Sequence, residues 1–174
     1  AVLDDLAGPV LLVDPDIRLL AAVAEHGAKA ETLPSLQVFA REDVLKTVRD
    51  DFLVSTLLGD LLETEAVELR VLPSPTPNTL FVTEDALSAV VSADGGVSAL
   101  GSEDGEFVTD AHDTYSGQYE TAESFDLRTP GRERILETLA DRLGEPSAET
   151  VEAALATLAD RPDGGEVDGV ALSL

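Results

Sequence analysis

The sequence predicts an α/β domain in which a mixed sheet is flanked by helices. Three observations carry that expectation. Pro9 to Val13 is a continuous apolar run too short for a helix, which reads as a buried strand. A helical stretch and a second such run, Leu36 to Ala40, follow it, and a β-α-β opening calls for a parallel pair joined by a right-handed crossover. Further along, short strand-like segments alternate with turn residues, which calls for antiparallel neighbours as well.

The elements follow in order. Asp14-Pro15 predicts a helix start, with Asp14 as N-cap and Pro15 at the first helical position, and Gly27 as its stop. From Glu42 the apolar positions Leu45, Val48, Phe52, Leu57, Leu61 and Leu62 predict one long amphipathic helix to about Leu62. Val67 to Leu72 alternates like a strand, and Pro73, Pro75 and Pro77 stiffen the loop after it. Leu80 to Thr83, Ala89 to Ser92 and Val97 to Leu100 read as strands, the last two joined as a hairpin through Asp94-Gly95-Gly96. Ser102 to Gly105 is a turn, after which Phe107, Ala111, Tyr115, Tyr119 and Ala122 repeat at helical spacing. Thr129 and Pro130 predict the start of a helix that Gly144 ends, and Ser147 opens another carrying Val151, Leu155 and Leu158. Residues 1–160 are therefore expected to form one domain, 161–169 (RPDGGEVDG) a polar Gly-rich linker, and 170–174 the start of a further element.

Composition narrows the class. The 174 residues hold 35 Asp and Glu against 11 Lys and Arg, a formal net charge of -24. A disordered acidic tail is excluded, because 44% of the residues are hydrophobic, enough for a core. Only Lys29 and Lys46 are lysines. An acidic, lysine-poor surface around an apolar core suits molar salt, where the Debye length falls to roughly 3 Å and self-repulsion is screened, so a halophile's cytoplasm is expected. There is no cysteine for a disulfide or a thiolate. No apolar run approaches the ~18 residues of a membrane span.

The chemistry-bearing residues do not assemble into a known catalytic pattern. The LLVDPD opening resembles the acidic pocket of a response-regulator receiver, but Asp50 and Asp51 fall within a helical pattern and no lysine follows Lys46. His26 and His112 are the only histidines, and neither is followed by the His-x-Lys spacing of phospholipase D. Asp110, His112 and Asp113 do not share one helix face, as metal ligation would need. No G-x-S-x-G elbow or phosphate-binding glycine loop occurs. The acidic pairs Glu84-Asp85 and Glu103-Asp104 are expected by chance in so acidic a chain. No catalytic residue, metal or cofactor is therefore expected. Candidate ligand contacts are Asn78, delivered by the stiff proline loop, and Thr83 and Glu84 at the end of the following strand. Arg128 and Arg132, near a predicted helix start with Arg134, either pair locally with Glu133 and Glu137 or receive an anionic ligand.

VLKTVRDDFLVS (Val44 to Ser55), VELRVLPSPTPNTLFVTED (Val67 to Asp85), EFVTDAHDTYSGQYETA (Glu106 to Ala122) and FDLRTP (Phe125 to Pro130) carry a resemblance over more than half the chain. They resemble the N-terminal effector region of haloarchaeal TbsP-type transcription regulators, which are similar in style to the TrmB regulators. Tyr119 stands where a tryptophan is expected. The resemblance implies a degenerate phospholipase D-like fold without catalytic residues and a homodimer. It also implies a sugar or sugar-phosphate effector drawn from central carbon metabolism. DNA would be bound only through a winged helix after the linker, beginning at 170–174, and no membrane partner is implied. Ile135, Leu136, Leu139, Leu143, Val151, Leu155 and Leu158 make the C-terminal helices the expected dimer surface, with the helix of Tyr115 and Tyr119 as the other candidate. Two other readings stay open: a dimerisation module without a ligand, and a hydrolase revealed by titratable groups converging in one pocket.

The charge balance generates a first prediction. Circular dichroism melts from about 0.1 M to about 2 M KCl should show the melting temperature rising with salt as self-repulsion is screened. A salt-independent melt would remove the halophile argument.

Overall fold

The computed structural model describes residues 8–30, 34–93, 96–102 and 104–159. The expected linker, the residues beyond it and the hairpin residues Asp94 and Gly95 lie outside them. The architecture is α/β with a mixed sheet, as its pattern predicts. Strands β1 (Val10–Val13), β2 (Leu36–Arg41), β3 (Val67–Leu72), β4 (Thr79–Val82), β5 (Leu87–Ala93) and β6 (Gly96–Ser102) form one sheet in the order β3-β2-β1-β4-β5-β6. β1, β2 and β3 run parallel, whereas β4 returns antiparallel on the other side of β1 and β5 and β6 continue as a meander.

The helices cover the two faces unequally. α1 (Ile17–Gly27), α2 (Glu42–Asp50) and α3 (Phe52–Glu63) provide the two parallel crossovers and pack on one another. Because strand side chains alternate, β1 sends Val10 and Leu12 into the core with Leu20, Leu45, Leu58 and Leu69. Leu11 and Val13 point to the opposite face, where α4 (Gly105–Thr121) supplies Val108 and Tyr119. A second unit holds the rest of α5 (Arg132–Leu143) and α6 (Glu145–Ala159), which meet at Gly144 in the left-handed region, φ +86°. Gly144 thus ends α5 as its sequence predicts. No residue of α5 is buried, whereas Leu155 of α6 is.

Several boundaries differ from expectation for identifiable reasons. Asp14 is not the N-cap of α1; Asp16 is, its Oδ1 accepting from Leu19 N at 2.8 Å, and the helix starts at Ile17. Gly27 is the last residue of α1, and Ala28 in a right-handed conformation is its C-cap. The single long helix from Glu42 is broken at Asp51, whose side chain accepts from Leu53 N and Val54 N at 3.1 and 3.2 Å and caps α3. Apolar spacing conceals the break, because Phe52 continues the stripe in sequence yet is exposed in the fold. α5 starts at Arg132, after Thr129-Pro130, and α6 at Glu145, before Ser147.

Two glycines set one close approach. Gly59 sits inside α3, where a Cβ would come within 3.0 Å of Gly131 N and Cα. A Cβ on Gly131 would in turn collide with Asp60, and Gly131 N donates to Glu63 Oε1 at 3.1 Å. The segment entering α5 is therefore seated on α3, with Leu127 buried in the core of that face. Gly117, in α4, has nothing within 4 Å. Although alanine gains about 1 kcal/mol of helix propensity over glycine, Gly59→Ala should lower stability by about 1–3 kcal/mol through overpacking. Gly117→Ala should raise it by about 0.5–1 kcal/mol. Urea unfolding of both variants checks the pair, and equal signs would contradict the packing account.

Candidate functional site

At the end of β1 the chain divides between the parallel and antiparallel halves of the sheet. Such a switch point is where open α/β sheets place their ligands. Asp14 lies there, buried and in the left-handed region at φ 49°, a conformation that Asp tolerates better than most residues. Its N donates to Phe39 O at 2.8 Å, and its carboxylate accepts from Arg41 Nε and from Thr76 N, each at 2.8 Å. Thr79 Oγ1 donates to Asp14 O at 2.6 Å. One residue thus ties β1 to β2, to the proline loop and to the start of β4. The hydrogen bond with Asp14 and its charge hold the proton on the Arg41 guanidinium above its ordinary affinity. Both carboxylate oxygens are engaged in structure, which gives the aspartate of the LLVDPD opening a structural role.

The loop that this clasp holds delivers Asn78 to a cleft of about 570 Å³ between the antiparallel half of the sheet and α4. Its floor follows the register: Leu80, Ala89 and Leu100 form one row across β4, β5 and β6, and Leu87 and Ser102 part of the next. Its roof is one stripe of α4, Phe107, Asp110, Ala111, Thr114 and Tyr115, at the i, i+3, i+4, i+7, i+8 spacing of a single helix face. Ala89, Gly101 and Ala111 are small, which leaves room between the layers. The walls are mainly apolar with a few polar groups, and the size falls in the range of small-molecule sites, roughly 300–1,000 Å³. Asp110 is the only charged residue among the lining side chains.

The other end of α4 is anchored tightly. Tyr119 packs edge-on against Phe39, ring centroids 5.7 Å apart, and its hydroxyl donates to Glu68 O at 3.3 Å. Arg70 lies over the Tyr119 ring at 4.9 Å, pairs with Glu68 at 2.8 Å, and donates to Tyr119 O and Glu120 O at 3.1 and 2.8 Å. Tyr115, rather than Tyr119, is therefore the tyrosine presented to the cleft.

The candidate contacts are placed differently from one another. Asn78 is on the cleft rim, exposed. Thr83 is buried and closes the β4–β5 turn, its Oγ1 accepting from Ala86 N at 3.0 Å, and Glu84 is exposed in that turn. Arg128 is exposed, with its Nε 4.0 Å from Asp126 Oδ2, and Arg132 opens α5. Thr83, Glu84, Arg128 and Arg132 do not line the cleft. Asp110, Thr114 and Ser102 do, and the sequence did not single them out as contacts. Their signal is the α4 stripe itself, in which polar positions interrupt an apolar face. Among the described residues no group of three His, Asp or Glu side chains is arranged to hold a metal ion.

The comparisons with known proteins bear on this arrangement. Residues 1–130 match the family described as "Transcriptional regulator TbsP-like, N-terminal". No curated protein matches the chain significantly. Among solved structures the chain is similar to TrmBL2, an archaeal chromatin protein whose structure is described as showing a novel mode of DNA binding. That similarity has a TM-score of 0.48 at 12% identity and covers 71% of this chain. The chain spans 47% of that protein's length. Among the described residues no helix is long and apolar enough to cross a membrane.

The Tyr119 anchor generates a pH prediction. Burial first, and then the charge of Glu68, raise the proton affinity of the Tyr119 hydroxyl well above its usual value, against an opposing pull from Arg70. The unfolded chain loses that proton near pH ~10 and the folded chain only higher, so the stabilisation is complete below about pH 10 and is lost as pH rises beyond it. Melting temperatures from about pH 9 to about pH 11.5 should fall more steeply in the wild type than in Tyr119→Phe. Parallel curves would contradict this assignment.

Proposed function

Given that the chain belongs to the TbsP-like family of transcriptional regulators, carrying its N-terminal domain, we propose that it is the signal-receiving module of a regulator whose DNA contacts lie outside these residues. The observation that carries the reading is the cleft under α4. It is bounded by Asn78 from the clasped loop, by β4–β6 and by the α4 stripe, and it offers a mainly apolar enclosure with scattered hydrogen-bonding groups. A carboxylate-rich chain of net charge -24 has little of the cationic surface that releases counterions from duplex DNA, which supports assigning DNA binding elsewhere. α5 and α6 would join two copies and pass the signal on; that no residue of α5 is fully buried favours such a role. A ligand acts on this equilibrium only through unequal affinity for two arrangements of the pair.

The lining also bears on the effector. With Asp110 as its only charged residue, the cleft offers no cation to a phosphate, and an anion taken out of water without a partner is strongly disfavoured. An unphosphorylated sugar or similar uncharged metabolite of central carbon metabolism suits it better than a sugar phosphate. A phosphate ester would have to use Arg128 and Arg132 instead. Thermal shift in about 2 M KCl should show stabilisation by an uncharged hexose such as glucose, in a panel of uncharged metabolites, and none by glucose 6-phosphate. Saturation at 100 times Kd corresponds to about 2.7 kcal/mol. Ala111→Trp, which fills the cleft, should abolish the shift, and Asn78→Ala should weaken it. A panel without effect on the wild type would favour the ligand-free dimerisation reading, whereas a phosphate-specific shift lost on Arg128→Ala would relocate the site.

A further inference from the structure

The two edges of the sheet are treated differently by the chain. At β3 the backbone covers itself: Val71 N donates to Glu123 O at 2.8 Å, Phe125 N donates to Leu69 O at 2.9 Å, and Arg70 and Ser124 form an antiparallel bridge. Glu68 and Arg70 add a charge pair along that edge. At β6 the partner β5 occupies one side in seven unbroken register pairs, and among the described residues no segment is bridged to the other side. Natural edges are blunted by lysine, proline, bulges or a covering segment, because bare N–H and C=O groups recruit another strand. β6, GVSALGS, has no charged residue and no proline, and its register shows no bulge.

The two strands at this edge are also sparsely charged. From Ala86 to Ser102 the only charged residue is Asp94, in a chain that is 26% charged overall. Among the described residues five large hydrophobic side chains are exposed, and three of them cluster here: Val91 on β5, Leu100 on β6 at 64% exposure, and Phe107 on the first turn of α4 at 56%. Val91 and Leu100 share the α4-facing side of the sheet, since Val91 pairs with Ser98, two residues from Leu100.

We propose that β6 is a homodimer seam, at which two copies pair β6 with β6 antiparallel about a two-fold axis and extend the sheet through both. The occupant follows from charge. Two chains of net charge -24 repel wherever their carboxylates face each other, so they approach at least cost along this uncharged strand, with Leu100 and Phe107 of each copy becoming covered. A two-fold antiparallel pairing is self-complementary and closes at two copies. The seam is distinct from the α5 and α6 contact proposed above and does not depend on an effector in the cleft.

The chain has no cysteine, so single cysteines report the seam cleanly. Antiparallel two-fold pairing sets one residue opposite itself with Cα atoms about 4.5–5.5 Å apart, within disulfide reach. Ser98→Cys, Ala99→Cys and Leu100→Cys, in the 174-residue chain at molar KCl under mild oxidation, should give a cross-linked dimer from at least one position. Glu68→Cys, at the covered edge, should give little. Adding Ala99→Lys to a cross-linking Ser98→Cys or Leu100→Cys variant should cut the yield at least tenfold while circular dichroism shows the fold intact. If Ala99→Cys alone cross-links, Ser98→Lys takes that place. Yields no greater than the Glu68→Cys control at all three positions, or yields unchanged by the added lysine, would overturn the proposal. So would a chain that stays monomeric and pairs this edge only with a foreign strand.

Discussion

The left-handed Asp14 is the constraint on which the rest of the molecule depends. A sheet whose crossovers lead one way from β1 and whose meander leads the other must hold its halves together where β1 ends. There the chain spends a buried carboxylate, with Arg41 from β2 on one oxygen and Thr76 N from the proline loop on the other. The left-handed backbone is part of the device, because it turns the chain from β1 toward Asp16, the true cap of α1. Removing the carboxylate would leave Thr76 N without its partner and the half-buried Arg41 guanidinium with only its 3.3 Å contact to Asp43, and a part-buried polar group that loses its partner is costly. The geometry of Asn78 at the cleft is a consequence of that clasp rather than an independent feature.

The cleft arises from a mismatch between the two ends of α4. Tyr119, wedged against Phe39 and under Arg70, fixes the C-terminal end close to the parallel strands. Toward the N-terminal end the facing strands carry Ala89, Gly101 and Ser102, which are too small to fill the space below Ala111. A rigid anchor at one end and an unfilled layer beside it is an arrangement a ligand can exploit: occupancy of the cleft would brace the Phe107–Tyr115 stripe of α4. Leu100 belongs to the cleft wall and is also exposed on the β6 edge, so ligand and partner would meet at the same strand.

Much of the fold was legible because apolar runs, proline and glycine act locally. β1 and β2 announce themselves as short apolar runs, and the proline loop and Gly144 as punctuation. The errors have a common physical origin, namely that caps are chosen by tertiary contacts as much as by residue type. Asp14, followed by Pro15, carries the cap signal in sequence, and only the pull of Arg41 and Thr76 assigns it elsewhere and leaves the cap to Asp16. Asp51 breaks a helix that the apolar stripe runs through, because the stripe is indifferent to a change of axis that leaves Phe52 outside. The cleft was harder to anticipate. Asn78 was reachable from the stiff loop, but Asp110 and Thr114 acquire meaning only when β4–β6 lie opposite α4, a pairing that helical periodicity does not encode.

The proposed function divides the labour: this domain would receive a signal, and a further part of the regulator would bind DNA. That division of labour is tested most directly by fluorescence anisotropy with a labelled promoter duplex in one molar-salt buffer, comparing residues 1–174 with the full-length regulator. The account predicts specific binding by the full-length protein and none by this chain alone; specific binding by residues 1–174 alone would contradict it.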